Sequence, residues 1–187
     1  MASAKREHLI NTALDLFYRG GFHATGVDEI VEKAGVARMT LYNHFKSKDE
    51  LILATLRKRD AKFRNWFTSS VERLGKTPDG RLLAIFDALE EWFCGKQYSG
   101  CMFINASAEF AQPDDPIKMA ACEHKKLVLK YVRELTKAAG ALRPKKLADG
   151  LMLLMEGAIV MSYVTEDKKA AARAKKAAKM LIKQSSL

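Results

Sequence analysis

The side chains best suited to chemistry lie in one short stretch, residues 35–50 (GVARMTLYNHFKSKDE). Leu41 and Phe45 are four residues apart, so on a short helix they share one face and are expected to anchor it to a core. The residues left facing outward are Arg38, Met39, Thr40, Asn43 and His44. Arg and Asn hydrogen-bond the edges of base pairs, and Met can contact a thymine methyl group. The stretch therefore predicts a helix whose exposed face contacts duplex DNA.

A preceding helix must hold this face in place. Residues 27–34 (VDEIVEKA) carry apolar side chains at i, i+3, i+4 and i+7, which predicts an amphipathic helix. Gly35 follows it, and glycine is the residue best able to adopt the left-handed conformation that ends a helix. Thr25 comes just before, where it is expected to cap the helix or to offer its hydroxyl to a phosphate. Two short helices joined by a glycine-led turn predict a helix-turn-helix.

The order of these residues resembles the TetR (tetracycline-repressor) family of bacterial transcriptional regulators. The resemblance runs from about Arg6 to Leu56, and its strongest landmark is residues 41–51 (LYNHFKSKDEL). It implies that Tyr42 and Lys48 contact backbone phosphates. His44 is expected to contact a phosphate or to cap the fold. It further implies a homodimer on a pseudo-palindromic operator, acting as a repressor that a small molecule releases from DNA.

Composition and periodicity indicate an all-α protein of 187 residues. We expect an N-terminal three-helix bundle with the helix-turn-helix (residues 1–50), followed by a helical ligand-binding and dimerisation domain (residues 51–187), about nine helices in all. The start, MASAKREH, lacks the apolar run of a secretory signal, and no stretch reads as a membrane span. Three cysteines are few and odd in number, which favours a reducing cytoplasm.

The net charge of +10 is not concentrated where DNA is expected to bind. Residues 1–50 carry seven basic and seven acidic side chains, whereas residues 166–187 carry seven basic and two acidic ones. Overall charge therefore does not by itself indicate nucleic-acid binding. Locally, however, residues 33–48 contain four basic side chains and no acidic one, which leaves a small basic patch on the predicted reading helix.

The remaining chemistry-bearing residues do not indicate catalysis. The four histidines stand apart in sequence, and neither HExxH nor CxxC occurs, so we expect no enzymatic activity, metal or cofactor. Two other interpretations stay open. The chain could be a helical adaptor or architectural protein that binds DNA without sequence preference, or binds only another protein. It could also sense oxidants or electrophiles through Cys101, which follows a glycine at a predicted helix start.

The C-terminal half is rich in residue types that line apolar binding cavities. Residues 101–110 (CMFINASAEF) resemble a segment of one subset of the family, GC-apolar-apolar-N-A-x-x-E. Ordinary core packing is the alternative for each candidate, and the pattern favours a hydrophobic or amphipathic ligand. The predicted lining is Trp92, Phe93, Cys101, Phe103, Asn105, Glu109, His124, Tyr131, Met152, Met155, Glu156 and Tyr163.

The last two predicted helices, residues 144–164 and 166–183, have the repeat of a helix-packing surface. Apolar and small residues recur at threes and fours, which allows close approach of helices. A two-fold arrangement would bury such stripes between two copies of the chain, and the family resemblance implies the same interface. The predicted interface residues are Leu147, Leu151, Leu154, Ala158, Met161, Ala174, Ala178 and Leu181.

Overall fold

The computed structural model describes residues 2–185, and within them it contains nine α-helices and no β-strand. The predicted all-α class is confirmed. The helices are α1 (Ala2–Gly20), α2 (Val27–Ala34), α3 (Arg38–Tyr42), α4 (Lys48–Leu74), α5 (Pro78–Phe93), α6 (Met102–Glu109), α7 (Pro116–Ala138), α8 (Pro144–Val164) and α9 (Ala170–Ser185).

The turn between α2 and α3 has the predicted geometry. Gly35 adopts the left-handed conformation with φ 62° and ψ 36°. Its N–H donates to the Glu32 carbonyl, and the Val36 N–H donates to the Val31 carbonyl, both at 3.0 Å. This pair of bonds satisfies carbonyls that the end of α2 would otherwise leave without partners. The chain therefore turns sharply enough to start α3 three residues later.

The chain divides into two compact units, each made of two separate segments of the sequence. The first contains the chain up to Lys62 together with Met102–His124. The second contains Phe63–Cys101 together with the chain from Lys125 onward. Helix α6 and the start of α7 therefore group with the N-terminal helices, because residues at the end of α6 bond to the loop between α1 and α2.

The core of the first unit is built from the apolar stripes of its helices. Side chains that lie at or near zero exposure include Leu9, Ala13, Phe17, Phe22, Ile30, Leu41, Phe45, Leu51, Ile52 and Leu56. Phe17 of α1 and Phe22 of the following loop lie 5.4 Å apart, ring centroid to ring centroid. Each such side chain contributes about 1.5–3 kcal/mol when it is fully removed from water. Together they fix the small helices that carry the exposed face of α3.

The second unit is organised around α5, α8 and α9, which pack against one another pairwise. Lys175 of α9 pairs with Asp87 of α5 at 2.5 Å. Among residues 2–185, α8 is the one helix long and apolar enough to span a membrane, which corrects the expectation that no stretch is. That property is weak support for a membrane span, because a core helix shares it, and one side of α8 is buried against its neighbours.

Candidate nucleic-acid interface

Helix α3 presents the predicted face to solvent. Leu41 is fully buried and Phe45 is 1% exposed, so the two predicted anchors are confirmed. Met39 is 70% exposed and Tyr42 is 40% exposed. Arg38 and Asn43 are exposed as well, while Thr40 and His44 are half-buried at the edge of the same face. Six of the eight predicted DNA-contacting residues therefore lie together on α3 and the turn that follows it.

The Arg38 guanidinium is held above this face by two neighbours. Its Nη1 lies 2.7 Å from the Asp28 carboxylate of α2, and its Cζ lies 5.8 Å from the centroid of the Tyr42 ring. A hydrogen bond with Tyr42, followed by the attraction of Asp28, raises the pKa of Arg38 above its ordinary value. The group is therefore always charged. Sequence reasoning missed Asp28, although an acid ten residues before an outward-facing Arg is a usable signal.

The start of α4 supplies the second contact region. Ser47 directly precedes this helix and caps it: its Oγ accepts a hydrogen bond from the Glu50 N–H at 3.2 Å. The Glu50 carboxylate accepts one from the Lys46 N–H at 2.7 Å. These two bonds satisfy backbone N–H groups at and just before the first turn of the helix. Lys48 is half-buried, and its Nζ donates to the His23 carbonyl at 3.3 Å. Its ammonium group thus stands beside the loop between α1 and α2.

Thr25 does not cap α2, which is one of its two predicted roles. The residue is 2% exposed, and its hydroxyl donates to the Gly21 carbonyl at 2.8 Å. The N-cap of α2 is Gly26, which makes no side-chain bond to the helix. The Thr25 hydroxyl therefore does not cap α2, because it closes the turn of its own loop, and its contact with a phosphate stays a prediction.

Substitution at Leu41 tests which side of α3 faces inward. Leu41→Ala removes a fully buried side chain and is expected to lower the free energy of unfolding by about 2–5 kcal/mol. Met39→Ala on the exposed side of the same helix is expected to change it by less than about 0.5 kcal/mol. Urea unfolding followed by circular dichroism measures both. Equal effects of the two substitutions would contradict this orientation of α3.

Aromatic side chains of the second unit form a connected cluster. Phe63 lies 5.0 Å from Trp92, Trp92 lies 5.2 Å from Tyr98, and Tyr98 lies 6.4 Å from Tyr163, all between ring centroids. The Tyr98 hydroxyl also pairs with the Ser162 hydroxyl at 2.5 Å. Trp92 and Tyr163 were predicted ligand residues, whereas Phe63 and Tyr98 were not. Phe63 lies in α4 and Tyr98 lies in a loop more than thirty residues later, and no sequence pattern links the two positions.

The predicted ligand residues do not all fall in one compact unit. Phe103, Asn105, Glu109 and His124 belong to the first unit. The remaining eight belong to the second, where Phe93, Cys101 and Met155 are buried and Trp92, Tyr131, Met152 and Glu156 are half-buried. The single lining that the sequence predicted is therefore divided between two units.

Three of the predicted polar ligand residues have hydrogen-bonding or ion-pair partners within the chain. His124 is 3% exposed, its Nδ1 lies 2.7 Å from the Asp60 carboxylate, and its ring stacks on Phe103 at 3.6 Å. Glu156 pairs with Lys125 at 2.6 Å. Glu109 binds the loop between α1 and α2. Each of these groups therefore already has a polar partner within the chain, and its contact with a ligand stays a prediction.

A cavity of about 230 Å³ lies between α4 and α7 in the second unit. Tyr131, a predicted ligand residue, contributes a hydroxyl that is shielded from solvent, and this burial raises the pKa of Tyr131, so the hydroxyl stays protonated and can donate. Among the described residues, no group of three or more His, Cys, Asp or Glu side chains is arranged to hold a metal ion. The cavity is lined by Arg64, Phe67, Thr68, Leu127, Val128, Lys130, Tyr131 and Glu134.

The outer surface of α8 differs from the predicted one. Leu147, Leu151, Ala158 and Ala178 are at most 4% exposed within a single chain, so these four predicted interface residues are corrected to the interior. Their stripe packs α8 and α9 together. Leu154, Ala174 and Leu181 are half-buried, and Met161 is 45% exposed. The exposed apolar stripe of α8 is instead Leu153, Val160, Met161 and Val164, with Gly157 between them.

Comparisons with known proteins place both halves of the chain in one family. Residues 9–55 match "Bacterial regulatory proteins, tetR family", and residues 78–178 match "Tetracyclin repressor-like, C-terminal domain". The crystal structure of SCO4454, a TetR-family transcriptional regulator from Streptomyces coelicolor, superposes with a TM-score of 0.91 at 29% identity, covering 99% of this chain and 97% of that one.

Curated relatives agree with this assignment. The transcriptional activator FasR of Mycolicibacterium smegmatis is 46% identical over 54 residues, which span 29% of this chain and 25% of that protein. The transcriptional repressor DhaR of Mycobacterium sp. (strain GP1) is 25% identical over 173 residues, which span 87% of this chain and 84% of DhaR. These matches point to a DNA-binding regulator rather than an enzyme. The chain therefore belongs to the TetR family and is a helix-turn-helix transcriptional regulator.

Proposed function

We propose that this regulator is a cytoplasmic homodimer that reads a pseudo-palindromic operator through α3 and represses transcription until a small molecule releases it. The observation that carries the proposal is the exposed face of α3, where Arg38, Met39, Tyr42 and Asn43 point away from the buried anchors Leu41 and Phe45. Arg and Asn supply base-edge hydrogen bonds, and Tyr42 supplies a phosphate contact.

Hydrogen–deuterium exchange with and without bound duplex tests this assignment of the DNA surface. Duplex DNA is expected to slow amide exchange in peptides that cover residues 36–48. Bound DNA shields those backbone amides from water and suppresses the local opening that exchange requires. The basic face of α9 is the internal control, and its exchange is expected to stay unchanged. Protection of α9 with none at residues 36–48 would overturn the proposal.

Lys48→Ala is expected to weaken binding to every duplex by a similar factor, because a phosphate contact carries no sequence information. Each lost phosphate contact reduces the slope of log affinity against log salt by about 0.9, and a homodimer loses two. Lys62→Ala is the matched control. It removes an exposed lysine of the same helix that lies about 21 Å further along the helix axis. An unchanged slope for Lys48→Ala in titrations at several salt concentrations would contradict the assignment.

The exposed stripe of α8 supports the proposed homodimer. Leu153 is 75% exposed and Val164 is 71% exposed, and Val160 and Met161 lie between them on the same side of the helix. A two-fold contact would bury this stripe against its copy, where Gly157 allows close approach. Two copies of α3 would then meet two half-sites about one turn of duplex apart, roughly 34–36 Å or somewhat more.

The cluster of Phe63, Trp92, Tyr98 and Tyr163, with the cavity beside Tyr131, supports a hydrophobic or amphipathic effector. Such a ligand releases DNA only if it binds the DNA-incompetent conformation more tightly than the competent one. FasR is an activator and DhaR a repressor. We favour repression, because a bound dimer excludes other proteins from the duplex that it covers and needs no further contact.

A second candidate trigger is the thiol of Cys101. The Lys125 Nζ lies 3.5 Å from its Sγ and also pairs with the Glu156 carboxylate. Cys101 is 6% exposed, so only a small reagent reaches it, whereas Cys94 and Cys122 are exposed. In a chain with both exposed cysteines replaced by serine, treatment with iodoacetamide would release DNA if Cys101 is a sensor. Release that persists after Cys101→Ser would exclude it.

A further inference from the structure

A carboxylate on α6 binds the loop that precedes the helix-turn-helix. Glu109, the last residue of α6, accepts hydrogen bonds from two consecutive backbone N–H groups: Phe22 at 3.0 Å through Oε1, and His23 at 2.6 Å through Oε2. Its Oε2 also lies 3.1 Å from the His23 Nδ1. Both carboxylate oxygens are therefore occupied by this loop, and bonds to an ionised acceptor are stronger than bonds between neutral groups.

The residue that follows Glu109 adds side-chain contacts to the same loop. The Phe110 ring stacks on His23 with centroids 4.7 Å apart, and it meets Phe22 edge-on at 6.0 Å. Phe22 is fully buried and contacts Phe17 of α1. Backbone and side chains of the loop are thus held together by one short segment that lies about 87 residues further along the chain.

The same loop is bonded to the DNA-reading elements. The His23 carbonyl accepts a hydrogen bond from Lys48 at the start of α4. Two residues later, Thr25 closes the turn onto Gly21, directly before α2 begins. A shift of residues 22 and 23 would therefore move the start of α2 and the Lys48 side chain together.

We propose that Glu109 is a positioning residue for sequence-specific DNA binding, an inference that rests on the proposed function. Glu109 fixes the loop between α1 and α2, and through it fixes α2 and Lys48, so that α3 meets the duplex in one orientation. Base-edge hydrogen bonds require such fixed geometry, whereas attraction to the phosphate backbone tolerates displacement. Loss of the Glu109 carboxylate is therefore expected to weaken binding to operator more than binding to random duplex.

The test compares Glu109→Gln with Glu123→Gln. The first keeps the size of the side chain, but it removes the charge and turns an amide N–H₂ group towards a backbone N–H. Glu123 is an exposed glutamate of α7 in the same compact unit, so its substitution makes the same change in net charge. We expect Glu109→Gln to lose about tenfold in operator affinity by fluorescence anisotropy, with random-duplex affinity equal to that of Glu123→Gln.

Equal operator affinity for the two variants would overturn the proposal. So would an equal loss on operator and random duplex, since that would indicate loss of folded protein rather than loss of position. If Glu109→Gln does not fold, Glu109→Asp is compared with Glu123→Asp instead, because both keep the charge and withdraw the carboxylate oxygens by about 1.5 Å.

Amide exchange without DNA separates this inference from the proposed function. The N–H groups of Phe22 and His23 are expected to exchange faster in Glu109→Gln than in Glu123→Gln, since each loses its acceptor or has it weakened. Unchanged exchange would overturn the proposal even if the wild-type protein binds its operator. Absence of any sequence preference in the wild-type protein would overturn both the proposed function and the positioning role, whatever the exchange rates are.

Discussion

Leu153→Glu is expected to convert the protein from a dimer to a monomer and to abolish operator binding at concentrations where the wild type is saturated. The Leu153 side chain is 75% exposed in a single chain, so the substitution leaves the folded subunit undisturbed. In a two-fold interface the same change would bury an unpaired charge on each subunit. The penalty for an uncompensated buried charge is about 3–5 kcal/mol, which weakens association by at least about 100-fold.

Met119→Glu is the matched control for this prediction. Met119 is 58% exposed on α7, so the substitution makes the same chemical change and the same change in net charge at a different surface. Sedimentation velocity measures the oligomeric state of both variants, and a mobility-shift titration measures operator affinity. A dimeric Leu153→Glu variant with wild-type affinity would show that the exposed stripe of α8 is not the subunit interface.

Arg38→Ala is expected to lower operator affinity by about 30-fold or more and to relax the preference for one base pair in each half-site. A bidentate contact to a base contributes a free-energy preference for the correct base pair over the others. A homodimer makes this contact twice, once in each half-site. Arg38 is exposed, and its partners Asp28 and Tyr42 are exposed as well, so water can replace them when the guanidinium turns to DNA. Affinity for random duplex is expected to fall far less, since only the phosphate attraction changes.

Arg57→Ala provides the comparison for Arg38→Ala. Arg57 is an exposed arginine of α4, about 13 Å along the helix from Lys48, in a basic run that we interpret as a solvated face. Its substitution removes the same charge and is expected to leave operator preference unchanged. Competition titrations with operator variants at single positions measure the preference. Wild-type selectivity in Arg38→Ala would exclude Arg38 as a base-reading residue.

The sequence predicted the helix-turn-helix closely because every local signal there agrees. The apolar period of residues 27–34, the left-handed Gly35 and the Leu41–Phe45 pair all specify the same local structure. The bounds of α8 were also predicted, since a proline is favoured in the first turn of a helix and Pro144 is the first residue of α8. Residues close together in the sequence suffice to predict helices and turns whose stabilising contacts are also close together in the sequence.

Tertiary contacts explain where sequence reasoning was wrong. Helix α8 is apolar on two sides, so its periodicity could not distinguish the stripe that packs on α9 from the stripe that faces solvent, and Leu151 was predicted on the wrong side. Threonine is a residue type that caps helices, but the Thr25 hydroxyl donates its hydrogen bond to the carbonyl of Gly21, four residues earlier. Glu109 was predicted to be a ligand residue. Its partners are two backbone N–H groups of a distant loop, and the side-chain types in the sequence do not reveal such partners.

Selection of bound sequences from random duplex DNA tests the central claim most directly. The purified wild-type protein is used at near-physiological salt, since affinities at low salt exaggerate the phosphate contribution. We expect enrichment of a single pseudo-palindromic motif with half-sites about one helical turn apart or somewhat more. A folded, dimeric protein that enriches no motif and binds operator-like and random duplexes equally would contradict it, and would instead favour a DNA-binding protein without sequence preference.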